Sequence, residues 1–277
     1  MSSLGTREDN IQIGNVITSN YGLTISFIEL ISWGYTTNCF YIKTDKGDFV
    51  ARVSDFSEEK KQDIKRDMLI SRLLGSEFLL PTFLKTTNEE DLVTFTDLDN
   101  KKRLLRISDH KEGVMPFALD EELLTKITAY LYKLHNTIPV TTLNQLRDSE
   151  LVPSIPSPYQ VLLHGDLTPS NVLVAHREIV RVVDFEMAHF GPPEYDLAKT
   201  ALFSWFYLNK KEFAEIAEIV TRAYAQDLNK DLLNEYAKTH LKTHLANTLN
   251  HEASYQNPAD FQRDVTFTKS MLSRLLS

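Results

Sequence analysis

Residues 162–184 read LLHGDLTPSNVLVAHREIVRVVD, and this stretch decides the fold that the sequence predicts. It contains an HGD triplet at 164–166, and Asn171 follows five positions after Asp166. It closes on Asp184, at the end of a run rich in β-branched residues. Polar residues at these offsets, in a strand-like context, favour a functional site over a chance match.

The second half of this stretch has the pattern of a β-hairpin. Two apolar runs, residues 172–175 and 179–183, are separated by the polar tip HRE at 176–178, which is typical of two short strands joined by a tight turn. Folding such a hairpin back on itself carries Asp184 beside Asn171. The sequence therefore predicts that these two side chains converge.

The residue types fit one kind of chemistry. Transfer of a phosphoryl group from ATP needs a carboxylate that orients the attacking hydroxyl, and oxygen ligands that hold Mg²⁺. An Asp-x4-Asn loop, a hairpin and a second aspartate supply these parts in order: Asp166, Asn171 and Asp184. Because Pro169 disfavours a helix here, the segment is predicted to be a loop.

The segments HGDLTPSNVLV and VVDFEMAHFGPPEYDLA together resemble the aminoglycoside phosphotransferase, choline kinase and homoserine kinase superfamily, small-molecule kinases with a protein-kinase-like fold. The resemblance covers about residues 28–206 more loosely. It implies that Asp166 is the catalytic residue and that Asn171 and Asp184 bind Mg²⁺. It also implies that Asp196 anchors the catalytic loop through backbone N–H groups, with His164 as further structural support.

The resemblance also implies an α+β fold with two lobes. The first is a small antiparallel lobe with one main helix, residues 1–107, and it covers the nucleotide. A hinge at 108–113 leads to a larger, mostly helical lobe, residues 114–277, which carries the catalytic loop, the hairpin and the acceptor site. Strand-like runs in the first lobe are 25–30, 39–44, 49–53, 92–96 and 103–107. The weakly patterned residues 1–21 are predicted to be a flexible arm.

Arg52 is the candidate for gripping the nucleotide phosphates. It stands in FVARV, where the superfamily often has a lysine. We favour Asp67 on the following helix as its partner, because a longer cation and a shorter anion span a similar gap. Glu58 and Glu59 are competing partners, and an exposed arginine on an edge strand is the simpler alternative.

The segment SWGYTTN at 32–38 falls where a kinase fold places its phosphate-covering loop. Its candidates are the backbone N–H groups, including that of Gly34, and the hydroxyls of Ser32, Thr36 and Thr37. A plain β-turn fits this segment about as well.

Glu186 lies two positions after Asp184, which in an extended chain puts both side chains on one side. Three interpretations stay open for its carboxylate: a contact with a second Mg²⁺, a contact with a substrate hydroxyl or ammonium, or exposure to solvent.

Composition limits the partners. A formal net charge of −8 disfavours nucleic acid as the main partner. The single cysteine, Cys39, forms no internal disulfide, which suits a reducing cytoplasm, and no apolar run is long enough to span a membrane. We therefore expect a cytoplasmic protein; its oligomeric state stays open.

The predicted function is an ATP- and Mg²⁺-dependent transfer of the γ-phosphoryl group to a hydroxyl of a small molecule. The acceptor is either an aminoglycoside-type antibiotic or an amino alcohol or sugar metabolite, and GTP stays open as a donor. One alternative is a pseudokinase that only binds nucleotide, which the changes at Arg52 and Asp67 favour and the intact Asp166, Asn171 and Asp184 oppose. A protein kinase is the other. It is disfavoured because only twelve positions separate Asp184 from Asp196, too few for a regulated activation loop.

Overall fold

Five antiparallel strands in the order β1-β2-β3-β5-β4 build the first part of the chain. They are β1 (Ile25–Trp33), β2 (Thr37–Thr44), β3 (Gly47–Asp55), β4 (Val93–Thr96) and β5 (Lys102–Asp109). All five predicted strands are present, and their ends differ from the predicted ones by at most three residues. This is a computed structural model, and it describes residues 6–33, 37–116, 118–208, 211–250, 252 and 258–276.

The prediction of a flexible arm is wrong, because helix α1 (Arg7–Tyr21) occupies most of that region. Thr6 and Asp9 form a capping box: the Thr6 hydroxyl accepts from the Asp9 backbone N–H at 3.1 Å, and the Asp9 carboxylate accepts from the Thr6 N–H at 3.0 Å. Residues spaced one turn apart on the helix are buried against the sheet: Ile13, Ile17 and Tyr21. The two capping residues and the spacing of the buried apolar residues are both visible in the sequence.

The sheet has two covered faces, and the alternation of strand residues decides which side chain points to which. Ala51 of β3 and Leu105 of β5 belong to the core cluster with α1. Arg52 and Arg106 are the next residues on those strands and point to the opposite face. That face packs against α2 (Glu58–Leu74), where Leu104 of β5 contacts the α2 residues Ile64 and Met68.

The rest of the chain is mostly helical. Its helices are α3 (Glu121–Asn136), α4 (Val140–Asp148), α5 (Glu194–Tyr207), α6 (Phe213–Tyr224), α7 (Lys230–Asn250) and α8 (Pro258–Leu276). Helix α3 begins after Asp120, whose side chain accepts from the Leu123 N–H at 2.9 Å. In the part of the chain that the structure describes, every helix is too short or too polar to cross a lipid bilayer.

Two small two-stranded sheets hold the segment quoted above. Strand β6 (Val161–Leu163) pairs with β9 (His189–Gly191), and β7 (Val172–Ala175) pairs with β8 (Glu178–Val182). The turn between β7 and β8 has positive φ at His176 and Arg177 (50° and 65°), as a two-residue hairpin with strand-matching twist requires. The predicted hairpin and the α+β class are confirmed.

The chain divides into two units: Met1–Glu112 with Arg181–Glu186, and Gly113–Val180 with Met187–Ser277. The first contains Arg52, Asp184 and Glu186, and the second contains Asp166 and Asn171. The boundaries predicted for the lobes and the hinge stay predictions.

Candidate active site

Asp196, near the start of α5, holds the backbone at the end of β6. Its Oδ2 accepts a hydrogen bond from the His164 N–H at 2.7 Å, and its Oδ1 accepts one from the Gly165 N–H at 2.8 Å. Burial of this carboxylate acts to raise its pKa, but the hydrogen bond and charge of His135, together with the Gly165 N–H, lower the pKa to about 2. Asp196 is therefore ionised and fixes the loop entrance.

His135, at the end of α3, is a supporting residue that sequence reasoning did not assign to the site. Its Nε2 lies 3.2 Å from Asp196 Oδ2, and its Nδ1 lies 2.9 Å from the Tyr224 hydroxyl. Nε2–H therefore donates to the carboxylate, and Nδ1 is within hydrogen-bond distance of the tyrosine hydroxyl. The site aspartate is thus held from the helical core as well as from the loop.

Gly165 occupies a position that no other residue can fill without moving the backbone. Its φ is +79°, and a Cβ built on it would lie 2.1 Å from the Met187 carbonyl oxygen. The glycine of the HGD triplet is therefore a steric requirement of the fold.

Asp166 and Asn171 are brought together in the second unit. The Asn171 Nδ2 group donates to Asp166 Oδ2 at 3.0 Å and to the Asp166 carbonyl oxygen at 2.8 Å. A short 3-10 turn at Pro169–Asn171 places the asparagine. Because both bonds use the amide nitrogen, Asn171 Oδ1 is left as an oxygen ligand.

Lys199 is a second residue that sequence reasoning missed. Its Nζ lies 2.7 Å from Asp166 Oδ1 and 2.9 Å from the Gly165 carbonyl oxygen. The lysine side chain is 15% exposed and that of Asp166 is 34% exposed. The one available signal was its position three residues after Asp196, a spacing that places two side chains on one face wherever the chain is helical.

A buried ion-pair network lies in the first unit around Arg106. Its Nη2 is 3.3 Å from Asp67 Oδ2 and 2.8 Å from Glu186 Oε1. The partner that we expected for Arg52 is therefore taken by Arg106, because α2 places Asp67 within reach of β5. Burial raises the pKa of Asp67 to about 6, although the charges of Arg106 and Arg52 act to lower it.

Arg52 lies beside this network and makes no ion pair with the described residues. Burial acts to lower the pKa of its guanidinium, but Cys39 and the carboxylates of Asp184, Asp67 and Glu186 act in the opposite direction, and the pKa is raised overall. Arg52 thus carries a positive charge, and its hydrogen-bond donors have no partner in the part of the chain that the structure describes.

Glu186 is held inside the first unit. Its carboxylate contacts the ammonium group of Lys60 and the guanidinium of Arg106. Burial acts to raise the pKa of Glu186, but Arg106 and Lys60 outweigh this effect and lower it. A role for Glu186 toward metal or substrate stays a prediction, and its carboxylate already has two cationic partners.

Asp184 has φ at +77°, a conformation that is strained for a residue with a side chain. Its side chain is partly buried, and its carboxylate makes no hydrogen bond or ion pair among the described residues. The next residue is fixed, because the Phe185 N–H donates to Asp67 Oδ1 at 3.1 Å. Strain of this kind is concentrated at functional sites, so we regard Asp184 as a candidate ligand.

The phosphate-covering loop is described only in part. Gly34 and Thr36 lie outside the described residues, and of Ser32 only the backbone within β1 is described. The Thr37 hydroxyl lies 2.8 Å from the Ser54 hydroxyl, within hydrogen-bond distance. A role of this loop toward phosphate stays a prediction.

Comparison with known proteins identifies relatives of this fold. Residues 119–236 match the phosphotransferase enzyme family designated APH. Among curated protein sequences none matches the chain. Among solved structures, amicoumacin kinase hAmiN in complex with AMP-PNP, Ca²⁺ and Ami is similar with a TM-score of 0.72 and 13% identity, over 96% of this chain and 94% of that chain.

Two further solved structures cover nearly the whole chain. Spectinomycin phosphotransferase APH(9)-Ia, in complex with ADP and spectinomycin, has a TM-score of 0.64 and 13% identity over 96% of this chain and 97% of its own. Choline kinase LicA from Streptococcus pneumoniae has a TM-score of 0.59 and 15% identity over 95% of this chain and 98% of its own.

The chain has the fold of the protein-kinase-like phosphotransferases, and the segment that contains the HGD triplet lies within the family match. The predicted resemblance to the aminoglycoside phosphotransferase and choline kinase superfamily is confirmed. The family match covers residues 119–236, and the solved structures, at 13–15% identity, share the fold of the chain.

Proposed function

We propose that the chain transfers the γ-phosphoryl group of ATP, with Mg²⁺, to a hydroxyl group of a small molecule. The observation that carries the proposal is the fixed pair of Asp166 and Asn171, with the amide nitrogen of the asparagine 3.0 Å from the carboxylate. The backbone before and after Asp166 is anchored at His164, Gly165 and Leu167, so the carboxylate has a defined position.

Asp166 orients the acceptor hydroxyl and accepts its proton late in the reaction. The transition state of phosphoryl transfer is loose, so a weak base placed in line is sufficient. Partial exposure of the Asp166 side chain supports this role, since an acceptor must reach the carboxylate.

Asn171 and Asp184 fit the requirements of Mg²⁺ ligands. Asn171 has Oδ1 uncommitted because its amide nitrogen is bonded to Asp166, and Asp184 has a carboxylate without a partner among the described residues. Oxygen atoms of these types suit a hard cation that keeps phosphate and water as its other ligands. When bound, Mg²⁺ neutralises charge on the triphosphate.

Arg52 suits the nucleotide phosphates. It keeps its positive charge beside three carboxylates and has no ion pair among the described residues. A guanidinium offers two parallel N–H donors to phosphate oxygens. The backbone of Gly34 and the hydroxyls of Ser32, Thr36 and Thr37 complete the proposed nucleotide contacts.

The acceptor belongs to one of two groups, aminoglycoside-type antibiotics or amino alcohol and sugar metabolites. The ligands and names of similar structures support both groups. Two of these structures contain Ami and spectinomycin, and a third is a choline kinase. A hydroxyl group is the feature that the reaction requires.

The test is ADP release with ATP or GTP across a panel of aminoglycosides, macrolides, choline, ethanolamine, homoserine and methylthioribose. Asp166→Ala should lower turnover at least about 10²-fold while Mg·ATP still raises the melting temperature. Asp148→Ala, an exposed aspartate in the same unit, is the matched control and should keep wild-type turnover. Turnover by Asp166→Ala within a few-fold of wild type would contradict the proposal, as would a wild type that is inactive with every acceptor.

A further inference from the structure

One face of α5 holds the first part of the catalytic loop, residues 164–167. Asp196, Lys199 and Thr200 occupy positions i, i+3 and i+4, which lie together on a helix surface. Asp196 accepts from two backbone N–H groups, Lys199 donates to the Gly165 carbonyl oxygen at 2.9 Å, and the Thr200 hydroxyl donates to the Leu167 carbonyl oxygen at 2.7 Å. Successive loop residues are thus bonded to successive positions of one helix.

Lys199 is the member of this face that also reaches a reacting group. Its ammonium lies 2.7 Å from Asp166 Oδ1, while Asn171 takes Oδ2 at 3.0 Å. The carboxylate is therefore held at both oxygens, by one charged donor and one neutral donor. Because the lysine is only 15% exposed, water competes weakly with this contact.

We propose that Lys199 is a positioning residue that fixes the Asp166 carboxylate in the orientation that receives the acceptor hydroxyl. The inference rests on the proposed phosphotransfer, since Asp166 has this role only in that reaction. The positive charge also offsets that of Asp166, which lowers the repulsion felt by an incoming triphosphate. Without Lys199, Asp166 keeps Asn171 on one oxygen and gains freedom to rotate.

The inference predicts a specific kinetic pattern. Misplacement of a reacting group by about 1 Å costs about 10²-fold in rate, so Lys199→Met should lower kcat about 10²-fold and leave KM for ATP within about threefold. Lys199→Arg should recover part of the lost kcat, because the guanidinium keeps the positive charge but is planar and larger than the compact ammonium group. An increase in KM with unchanged kcat would overturn the inference, since it would mark Lys199 as a nucleotide ligand.

Lys126→Met is the matched control. Lys126 also lies in the second unit and forms ion pairs, with Glu178 at 2.6 Å and Glu122 at 3.0 Å, but it makes none of the loop contacts. It should keep wild-type kcat. If Lys126→Met lowered kcat as much as Lys199→Met, the inference would be overturned, because the removal of any ion-paired lysine would then be enough to lower kcat.

Coupling to Asp166 gives a sharper test. Residues that act as a unit have non-additive effects, so Lys199→Met in an Asp166→Asn background should lower the residual turnover by less than about twofold. A further drop of about 10²-fold would show that Lys199 acts independently of Asp166, and the inference would fail.

A measurement without turnover separates this inference from the proposed function. The ¹H–¹⁵N spectrum of lysine ammonium groups should contain a slowly exchanging signal that is lost in Lys199→Met and shifted in Asp166→Asn. Absence of such a signal contradicts the held contact whatever the reaction is. A wild type inactive with every acceptor contradicts the proposed function, whereas an active wild type with an equally active Lys199→Met contradicts only the inference.

Discussion

Arg52 and Arg106 lie directly opposite each other on the antiparallel strands β3 and β5. Like charges at opposed positions destabilise a sheet, so this pair needs compensation on the face to which both side chains point. Arg106 obtains it from Asp67 and Glu186. Arg52 has carboxylates nearby but forms no ion pair with the described residues, so its donors can bind the phosphate that we propose as its ligand.

Arg106→Met should destabilise the protein by about 3–5 kcal/mol, because it removes the ion-pair partner of the buried Asp67 carboxylate and one of the two cations that contact Glu186. Urea unfolding measures the loss. Arg72→Met is the control: its pair with Asp91 is 52% and 36% exposed, and it should cost no more than about 1 kcal/mol. Equal losses for the two variants would show that burial of the network contributes nothing.

Gly165→Ala should lower turnover about 10²-fold, because its Cβ, at 2.1 Å from the Met187 oxygen, forces the backbone beside Asp166 to move. Gly22→Ala is the control. Gly22 also has positive φ, at +61°, but its Cβ would meet only the Thr87 Cγ2 at 3.4 Å. The Gly22→Ala substitution should cost about 1–2 kcal/mol in stability and leave kcat unchanged. A Gly165→Ala enzyme with wild-type activity would contradict the steric argument.

Asp196→Asn should cost about 2–3 kcal/mol in stability and lower turnover. The carboxylate accepts from two backbone N–H groups with separate oxygens, whereas an amide has one oxygen and leaves a buried donor unpaired. Glu194→Gln, on the same helix, keeps Oε1 for its bond from the Asn229 N–H at 2.9 Å. Chemical unfolding should show that this control loses less than about 1 kcal/mol in the free energy of unfolding. The prediction fails if both variants lose the same amount.

His240 should make stability depend on pH. It is 6% exposed, and burial together with the charge of Lys199 lowers its pKa to about 4, against the opposing effect of its hydrogen bond to the Tyr195 carbonyl. In the unfolded chain the His240 imidazole binds a proton near pH 6.5, whereas in the folded chain it stays neutral at that pH. The stabilisation that results from this difference in pKa is therefore fully present above pH 6.5. It is lost as the pH falls toward 4, up to roughly 3 kcal/mol.

His240→Gln removes the titrating group and keeps a donor for the Tyr195 carbonyl. Urea unfolding at several pH values between 7.5 and 4.5 should give a shallower loss of stability for this variant than for the wild type. Parallel curves for the two proteins would show that His240 does not carry this dependence.

Local signals in the sequence were sufficient for much of the fold. Strand-like apolar runs located the five strands, and the polar tip at 176–178 marked the hairpin. Helix α1 was missed although Thr6 and Asp9 formed a recognisable cap, because its mean apolar character is low. Its stability comes from burial of a narrow stripe against the sheet, which sequence periodicity indicates only weakly.

The sequence by itself determined the spacing between the HGD triplet and the asparagine five positions on, and therefore the class of chemistry that we propose, since spacing within a loop is a local property. Only the tertiary structure decided that Lys199 holds Asp166 and that Arg106, rather than Arg52, holds Asp67. These partners lie 33 and 39 positions apart in the chain. Periodicity tells which face of a helix or strand a side chain occupies, but the partner it meets depends on how whole elements pack, which no local pattern records.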